Sequence, residues 1–248
     1  GGIQENKINP YKMISENLTI QNNIFNAIEK INFKKLLFFG SSCMYPKITE
    51  RAIHASDLLS GSIESTSMSY ALSKLVGYGQ CKSYNEQFET NRCVTIVPNS
   101  IYGPNDNFDE NNGHVLASLI KKFHNGVITN KKSINLWGDG TPLREFIYSD
   151  DVANACVNIL QSNVTFNEPV NIGTGEEISI FNLAKQIKFI TRFNGQILFD
   201  KTKPNGTKRK LLDSSKILEI GWRPEINLNI GIEKTYNWYL SNSLKSLN

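Results

Sequence analysis

Lys35-Leu36-Leu37-Phe38-Phe39-Gly40-Ser41-Ser42-Cys43 is the stretch that decides how this chain is read. A short apolar run that stops in small residues is what a buried parallel strand looks like where it enters a turn. Upstream, Ile20, Ile24 and Ile28 recur at helical spacing. Downstream, Leu72, Leu75 and Val76 lie in a helix expected over about 68–89. Val94-Thr95-Ile96-Val97 then reads as a second buried strand, closed by Pro98. Strand, helix and strand in that order are the signature of a parallel α/β sheet.

The alternation continues. Leu116, Leu119, Ile120 and Phe123 form an i, i+3, i+4, i+7 stripe, as do Val152, Ala155, Cys156 and Ile159. Asp150 and Asp151 precede the second stripe, where the helix dipole favours negative charge. Val170-Asn171-Ile172-Gly173 reads as a further strand. Helices near 180–190 and 229–241 flank a strand near 196–200 and a loop at 201–210. A nucleotide-binding sheet opens with a strand, a glycine-rich turn and a helix that hold a pyrophosphate. Nothing in this sequence supplies that opening: Gly1-Gly2 stands at its very edge, and the first strand already reads as a middle one. Either the chain binds no dinucleotide, or that opening lies ahead of Gly1, and the motifs decide between these.

Composition narrows the class. Of 248 residues, 40% are hydrophobic and 20% charged, an ordinary globular balance far from that of a disordered chain. No apolar run approaches the ~20 residues that cross a bilayer, and the first ten residues lack the basic-then-apolar layout of a secretory leader. Cys43, Cys81, Cys93 and Cys156 form no CxxC pair, so reduced thiols in a cytoplasmic protein are expected. The net charge of +4 suits an anionic small molecule such as a nucleotide diphosphate and is too weak to argue for nucleic acid. Between Lys201 and Lys210, however, five cations stand in ten residues; a solvated basic loop is the plain alternative to a phosphate-binding one.

Tyr70-Ala71-Leu72-Ser73-Lys74 puts a phenol and an ammonium on one helical face. A carbonyl reductase needs a proton donor beside the carbonyl, and a nearby cation would lower the phenol from its usual pKa near 10. Ser41 lies 29 residues upstream at the C-terminal end of a predicted strand, where open α/β sheets place their sites. Strand with Ser41, helix with Tyr70 and Lys74, then strand with Pro98 and Tyr102-Gly103-Pro104 is the layout of extended short-chain dehydrogenases/reductases.

Further motifs make the resemblance specific: Gly40 to Lys47, Tyr102-Gly103-Pro104-Asn105-Asp106-Asn107-Phe108, His114-Val115, Trp137 to Phe146 and Lys203 to Asp213. In order and spacing these resemble the GDP-L-fucose synthase family. That likeness implies an α/β, Rossmann-type doubly wound parallel sheet whose first strands, about 60 residues, lie ahead of Gly1. It implies an incomplete NAD(P)-binding domain at 1–104 and 149–175, and a smaller C-terminal α/β domain at 105–148 and 176–248 that binds the sugar nucleotide. It also implies an NADPH-dependent enzyme that inverts C3 and C5 of GDP-4-keto-6-deoxy-D-mannose and reduces C4, working as a homodimer without a metal, a nucleic acid or a membrane.

Carried over by motif, Ser41, Tyr70 and Lys74 handle the carbonyl, and Cys43 and His114 exchange protons on opposite ring faces. Their ordinary pKa values, about 8.5 and 6.5, bracket neutrality, which suits proton exchange beside a ketone. The plain alternatives are a small buried turn residue for Cys43 and a helix-start surface residue for His114. The cofactor would meet Phe39, Gly40, Ser41, Ser42, Tyr70, Lys74, Pro98, Asn99, Ser100, Ile101 and His114. The sugar nucleotide would meet Lys122, Trp137, Arg144, Asn205 and Lys210, with Arg144 and Lys210 on the diphosphate. For Trp137 the alternative is core packing.

Three positions depart from the family pattern, which has arginine at Lys122, aspartate at Asn205 and Thr-Asn at Asn99-Ser100. Lysine keeps the charge of arginine but not its fork. A C4 reductase or epimerase of another GDP-6-deoxysugar or heptose is therefore the alternative, and an inactive fragment or non-catalytic homologue the next. Cys43-Met44 stands where sugar-nucleotide dehydratases carry an acidic pair, which disfavours dehydration.

Overall fold

The protein is described from a computed structural model covering residues 6, 8–48, 50–110, 112–203 and 205–243. Gly1-Gly2-Ile3, where the family resemblance begins, lies outside the described residues. Helix α1 (Pro10–Ile28) has Pro10 in its first turn, where a missing N–H costs nothing. It buries Gln21, Phe25 and Ile28, so the isoleucine stripe is split: Ile20 and Ile24 face outward. There follow β1 (Leu36–Phe39), α2 (Met68–Gln87), β2 (Cys93–Pro98) and β3 (Ser100–Tyr102). Next come α3 (Val115–Ile128), β4 (Ser133–Trp137), β5 (Leu143–Arg144), β6 (Phe146–Tyr148), α4 (Ser149–Gln161) and β7 (Val170–Ile172). The remaining elements are β8 (Ile178–Ser179), α5 (Ile180–Ile190), β9 (Gln196–Asp200), β10 (Arg209–Lys210), α6 (Ser215–Glu219) and α7 (Leu228–Ser243).

β1, β2 and β7 form one parallel sheet in the order β1-β2-β7, with Phe39 opposite Ile96 and Pro98 opposite Ile172. All six residues of β2 are buried, as a central parallel strand covered on both faces requires. Three smaller pairings complete the fold: β3 with β6, β4 with β9, and the set β10-β5-β8. β5 and β10 run parallel and place Arg144 beside Lys210, so the loop expected at 201–210 ends as a strand.

Four hydrophobic clusters are present among the described residues, two of them large. One gathers Leu116, Ile120 and Phe123 of α3, Leu183 and Ile187 of α5, and Ile232 of α7. The other gathers Val94 and Ile96 of β2, Val152 and Ile159 of α4, and Val170 and Ile172 of β7. β6 serves both: Phe146 and Tyr148 belong to the first cluster and Ile147 to the second, following the two-residue alternation of a strand. Ile217 and Trp222 return from the C-terminal part to the second cluster. Asp151 does more than sit at a helix start, for its buried carboxylate accepts from the Glu225 and Ile226 amides at 3.0 and 3.1 Å.

Helix α2 lies close against β1 because Gly77 has no side chain. A Cβ there would fall 2.1 Å from Cζ of Phe38, which is buried with Phe25, Ile28, Cys81 and Cys93. Gly77→Ala should therefore destabilise the fold by about 1–3 kcal/mol in urea unfolding, against the gain of up to ~1 kcal/mol that alanine brings to an ordinary helix interior. Unchanged or increased stability would show that the Phe38 ring yields freely.

Candidate active site

The C-terminal ends of β1, β2 and β7 lead to Gly40, Asn99 and Gly173, and the candidate residues gather there. Leaving β1, Ser41 caps a short 3-10 turn, Ser42–Met44, by accepting the Cys43 N–H on its hydroxyl at 3.2 Å. Met44 is fully buried and its sulfur accepts the Ser41 N–H at 3.2 Å. A side chain at Gly40 would begin 2.9 Å from that sulfur. Tyr45 anchors the far end, donating to Oδ1 of Asn171 on β7 at 2.7 Å. Cys43 is thus held by sulfur packing on one side and a strand-to-turn bond on the other.

Tyr70 is in the first turn of α2, with the Ser41 hydroxyl near enough to favour its phenolate. Burial and the nearby Cys43 raise its pKa, and Ser41 only partly offsets them. Lys74 is not among the groups that set the phenol in the chain by itself; the expected lowering drew on a cationic nicotinamide as well as on the lysine. The Lys74 ammonium lies 5.7 Å from the Tyr70 ring centre and 5.1 Å from that of Phe38, and burial lowers its own pKa. Among the described residues no hydrogen bond or ion pair is recorded for that ammonium.

Burial alone would raise the Cys43 thiol, but the Lys210 ammonium and hydrogen bonds with Ser41, Ser67 and Lys210 together hold it below its usual value. Nζ of Lys210 lies 3.6 Å from the sulfur, so the structure sets this lysine against Cys43, although the motif pointed it at a diphosphate. Ser67, buried just before α2, was not legible as a site residue. His114 stands exposed at the start of α3, and no hydrogen bond among the described residues joins it to Ser41, Cys43 or Tyr70. Its Nδ1 is 3.2 Å from Oδ1 of Asp106, whose other oxygen is buried without a partner. Asp106 stood in the quoted motif but drew no role; its pairing with an imidazole eight residues on needs the loop geometry.

The remaining candidates are less tightly gathered. Arg144 is partly buried, donates to the Leu143 carbonyl at 2.7 Å, and has no carboxylate partner among the described residues; burial lowers its pKa. Asn205 accepts the Asp139 N–H at 2.8 Å, fastening the turn after Trp137. Trp137 is half exposed, which rules out plain core packing, and Lys203 lies 5.9 Å over its ring. Lys122 reaches the Asn135 carbonyl at 3.5 Å from α3. Arg209, one of the five loop cations, is engaged bidentately by Glu177. Of the other cofactor candidates, Phe39 ends β1, Ser42 begins its turn, and Pro98, Asn99, Ser100 and Ile101 span the exit of β2 into β3.

Behind Asn99 lies a group that sequence reading missed. Glu145 is fully buried, and its carboxylate accepts from the Asn99 carboxamide, from the Gly175 N–H at 2.7 Å and from the Leu212 N–H at 3.1 Å.

Residues 1–173 match the NAD dependent epimerase/dehydratase family. GDP-L-fucose synthase 1 of Arabidopsis thaliana is 43% identical over 242 residues, 98% of this chain and 74% of its own. GDP-L-fucose synthase of Escherichia coli K12 is 38% identical over 250 residues, 98% of this chain and 78% of its own. Among solved structures, a GDP-mannoheptose C4 reductase from Campylobacter jejuni with NADP bound superposes with a TM-score of 0.84 at 35% identity, covering 97% of this chain and 79% of its own. The fold is accordingly Rossmann-like.

The Lys210–Cys43 contact has a direct readout. Lys210→Met should move the Cys43 thiol up toward its ordinary range, slowing iodoacetamide alkylation of that cysteine at pH 7 by roughly tenfold for each pH unit gained. An alkylation profile unmoved by the substitution would show that the ammonium does not set the thiol.

Proposed function

Because the chain belongs to the NAD dependent epimerase/dehydratase family, we propose that it converts GDP-4-keto-6-deoxy-D-mannose to GDP-L-fucose, inverting C3 and C5 and then reducing the C4 ketone with NADPH. The observation that carries this reading is the placement of Cys43. A simple ketone reductase is served by Ser41, Tyr70 and Lys74. Here a thiol held below its usual pKa shares their turn and adjoins the same phenol. Such a group suits proton removal beside a ketone.

The residues present fit the cofactor. Lys74 offers a partly buried ammonium, without a hydrogen-bond partner among the described residues, at the strand ends, suited to accepting oxygens such as ribose hydroxyls, and Gly40, Ser42, Pro98, Asn99, Ser100 and Ile101 would line the same crevice. Bound NADPH supplies the hydride that reaches C4. Ser41 and Tyr70 hydrogen-bond the C4 oxygen, stabilising the enolate as Cys43 takes the proton from the neighbouring carbon. His114 returns a proton on the opposite face. Asp106, accepting from Nδ1, keeps Nε2 as the working nitrogen. In the reduction Tyr70 gives its proton to the C4 oxygen; its raised pKa keeps that proton in place until charge develops there. Arg144, a guanidinium without a carboxylate partner among the described residues, is the anchor for the diphosphate, with Lys122, Trp137, Asn205 and Lys210 around the sugar nucleotide.

Under this reading residues 1–104 and 149–175 hold the cofactor, and 105–148 and 176–248 hold the sugar nucleotide. The two large hydrophobic clusters support that division, Ile217 and Trp222 being the segment that crosses back. We also place the protein in the cytoplasm, in keeping with four free cysteines, and as a homodimer. Support for the dimer is an outward apolar surface on the packed pair α1 and α2, where Ile20, Ile24, Leu72 and Val76 are 60%, 41%, 41% and 45% exposed. A second reading, C4 reduction of a GDP-heptose, is favoured by the likeness to the C. jejuni reductase and by Lys122 and Asn205 in place of the expected arginine and aspartate.

Incubation of the natural full-length protein with GDP-4-keto-6-deoxy-D-mannose and NADPH should consume reduced cofactor and yield GDP-L-fucose by NMR. Cofactor oxidation with C3 and C5 unaltered would demote the protein to a reductase and favour the second reading. Cys43→Ser should abolish inversion yet leave reduction, and Tyr70→Phe should slow reduction by about 10²–10⁴-fold. For the dimer, Val76→Asp should halve the mass seen by light scattering; a wild-type monomer would remove that assignment.

A further inference from the structure

Glu145 stands between β5 and β6 with no role in the chemistry above, yet three chain segments converge on it. A fully buried carboxylate is costly unless donors converge on it. Here they come from three separate segments: the Asn99 carboxamide at the exit of β2, the Gly175 N–H beyond β7, and the Leu212 N–H beyond β10. The Asn99 carboxamide also reaches the Lys210 carbonyl at 3.4 Å, and its oxygen accepts the Ser100 N–H at 3.0 Å. The room for the carboxylate comes from Gly173, where a Cβ would lie 2.3 Å from Oε1. Gly173 does not adopt a positive φ, so what its position demands is the absence of a side chain.

The backbone leaving Lys210 is therefore fastened twice, by Asn99 at its carbonyl and by Glu145 two residues on. Its side chain is the one whose ammonium meets Cys43 at 3.6 Å. We infer that Glu145 is a positioning residue: it latches the substrate-side strand β10 onto the ends of β2 and β7, so that the Lys210 ammonium stays on the Cys43 sulfur. Every contact to it is a donor, so the carboxylate, an acceptor only, fits where a carboxamide does not. The other groups acting on that sulfur are Tyr70 on α2 and the hydroxyls of Ser41 and Ser67, none of which touches the latch. The inference rests on the reading of Cys43 as an acid–base group for its importance, but its test does not.

The test is the pH dependence of Cys43 alkylation by iodoacetamide, followed on the Cys43 peptide by mass spectrometry in the natural full-length protein without substrate or cofactor. Glu145→Gln should displace the profile to higher pH and slow alkylation at pH 7 by roughly threefold or more, in the same direction as Lys210→Met. Gly173→Ala, which keeps the carboxylate but crowds it, should do likewise. Should either fail to fold, Glu145→Asp, which keeps the charge and shortens the arm, gives the same readout with a smaller displacement. A folded variant with the wild-type profile overturns the inference. A protein that turns over no GDP-sugar but shows the displaced profile would sink the functional reading and leave the latch standing.

Discussion

A buried carboxylate dictates much of this architecture. The Glu145 carboxylate is fully buried, and among the described residues it is met by amide donors drawn from chain segments far apart in sequence. In the interior a missing donor would cost about 1–3 kcal/mol, more for a charged acceptor, so the ends of β2, β7 and β10 must arrive together. Burial pushes the carboxyl pKa up even with those donors in place. The sign is worth following: a carboxyl raised on folding favours the protonated form, so its contribution to stability is greatest at low pH and is lost as pH rises through the folded value. The protein keeps this group at a cost in stability. What it gains is register between the β1-β2-β7 sheet and the short strands β5 and β10.

Around that point the two large hydrophobic clusters meet along a single strand. β6 gives alternate side chains to each, Ile147 one way and Phe146 and Tyr148 the other. A slip of one residue would turn all three around. The latch beside β6 and the alternation within it thus act on the same few residues. Arg144 and Glu145, adjacent in sequence, part in the same manner, one engaged near the substrate-side turn and one in the buried hub.

Most of the regular elements were legible because burial writes a period into sequence. β1, β2 and the helices α3, α4 and α5 lie where apolar spacing put them. The isoleucine stripe of α1 was also read as a helix, but spacing alone does not tell core from a surface awaiting a partner, and Ile20 and Ile24 point outward. β5, β8 and β10 have two residues each and carry no period to read. Ser41, Cys43, Tyr70 and Lys74, which motifs singled out, lie on one turn and one helix. Asp106, Ser67 and Glu145 were not singled out, because each matters through a partner that only the folded chain supplies. The burial and the neighbouring Cys43 that raise the Tyr70 phenol were likewise invisible in the sequence, where only the lysine four residues away could be read.

Gly173 has no side chain because Glu145 occupies the volume where one would begin. Size at one position and charge at the other are thus a single shared trait. A lineage that replaces the carboxylate with something smaller frees position 173 to vary, and one that places a methyl at 173 must first give up the carboxylate. The two positions, 28 residues apart in the chain, should drift together or not at all.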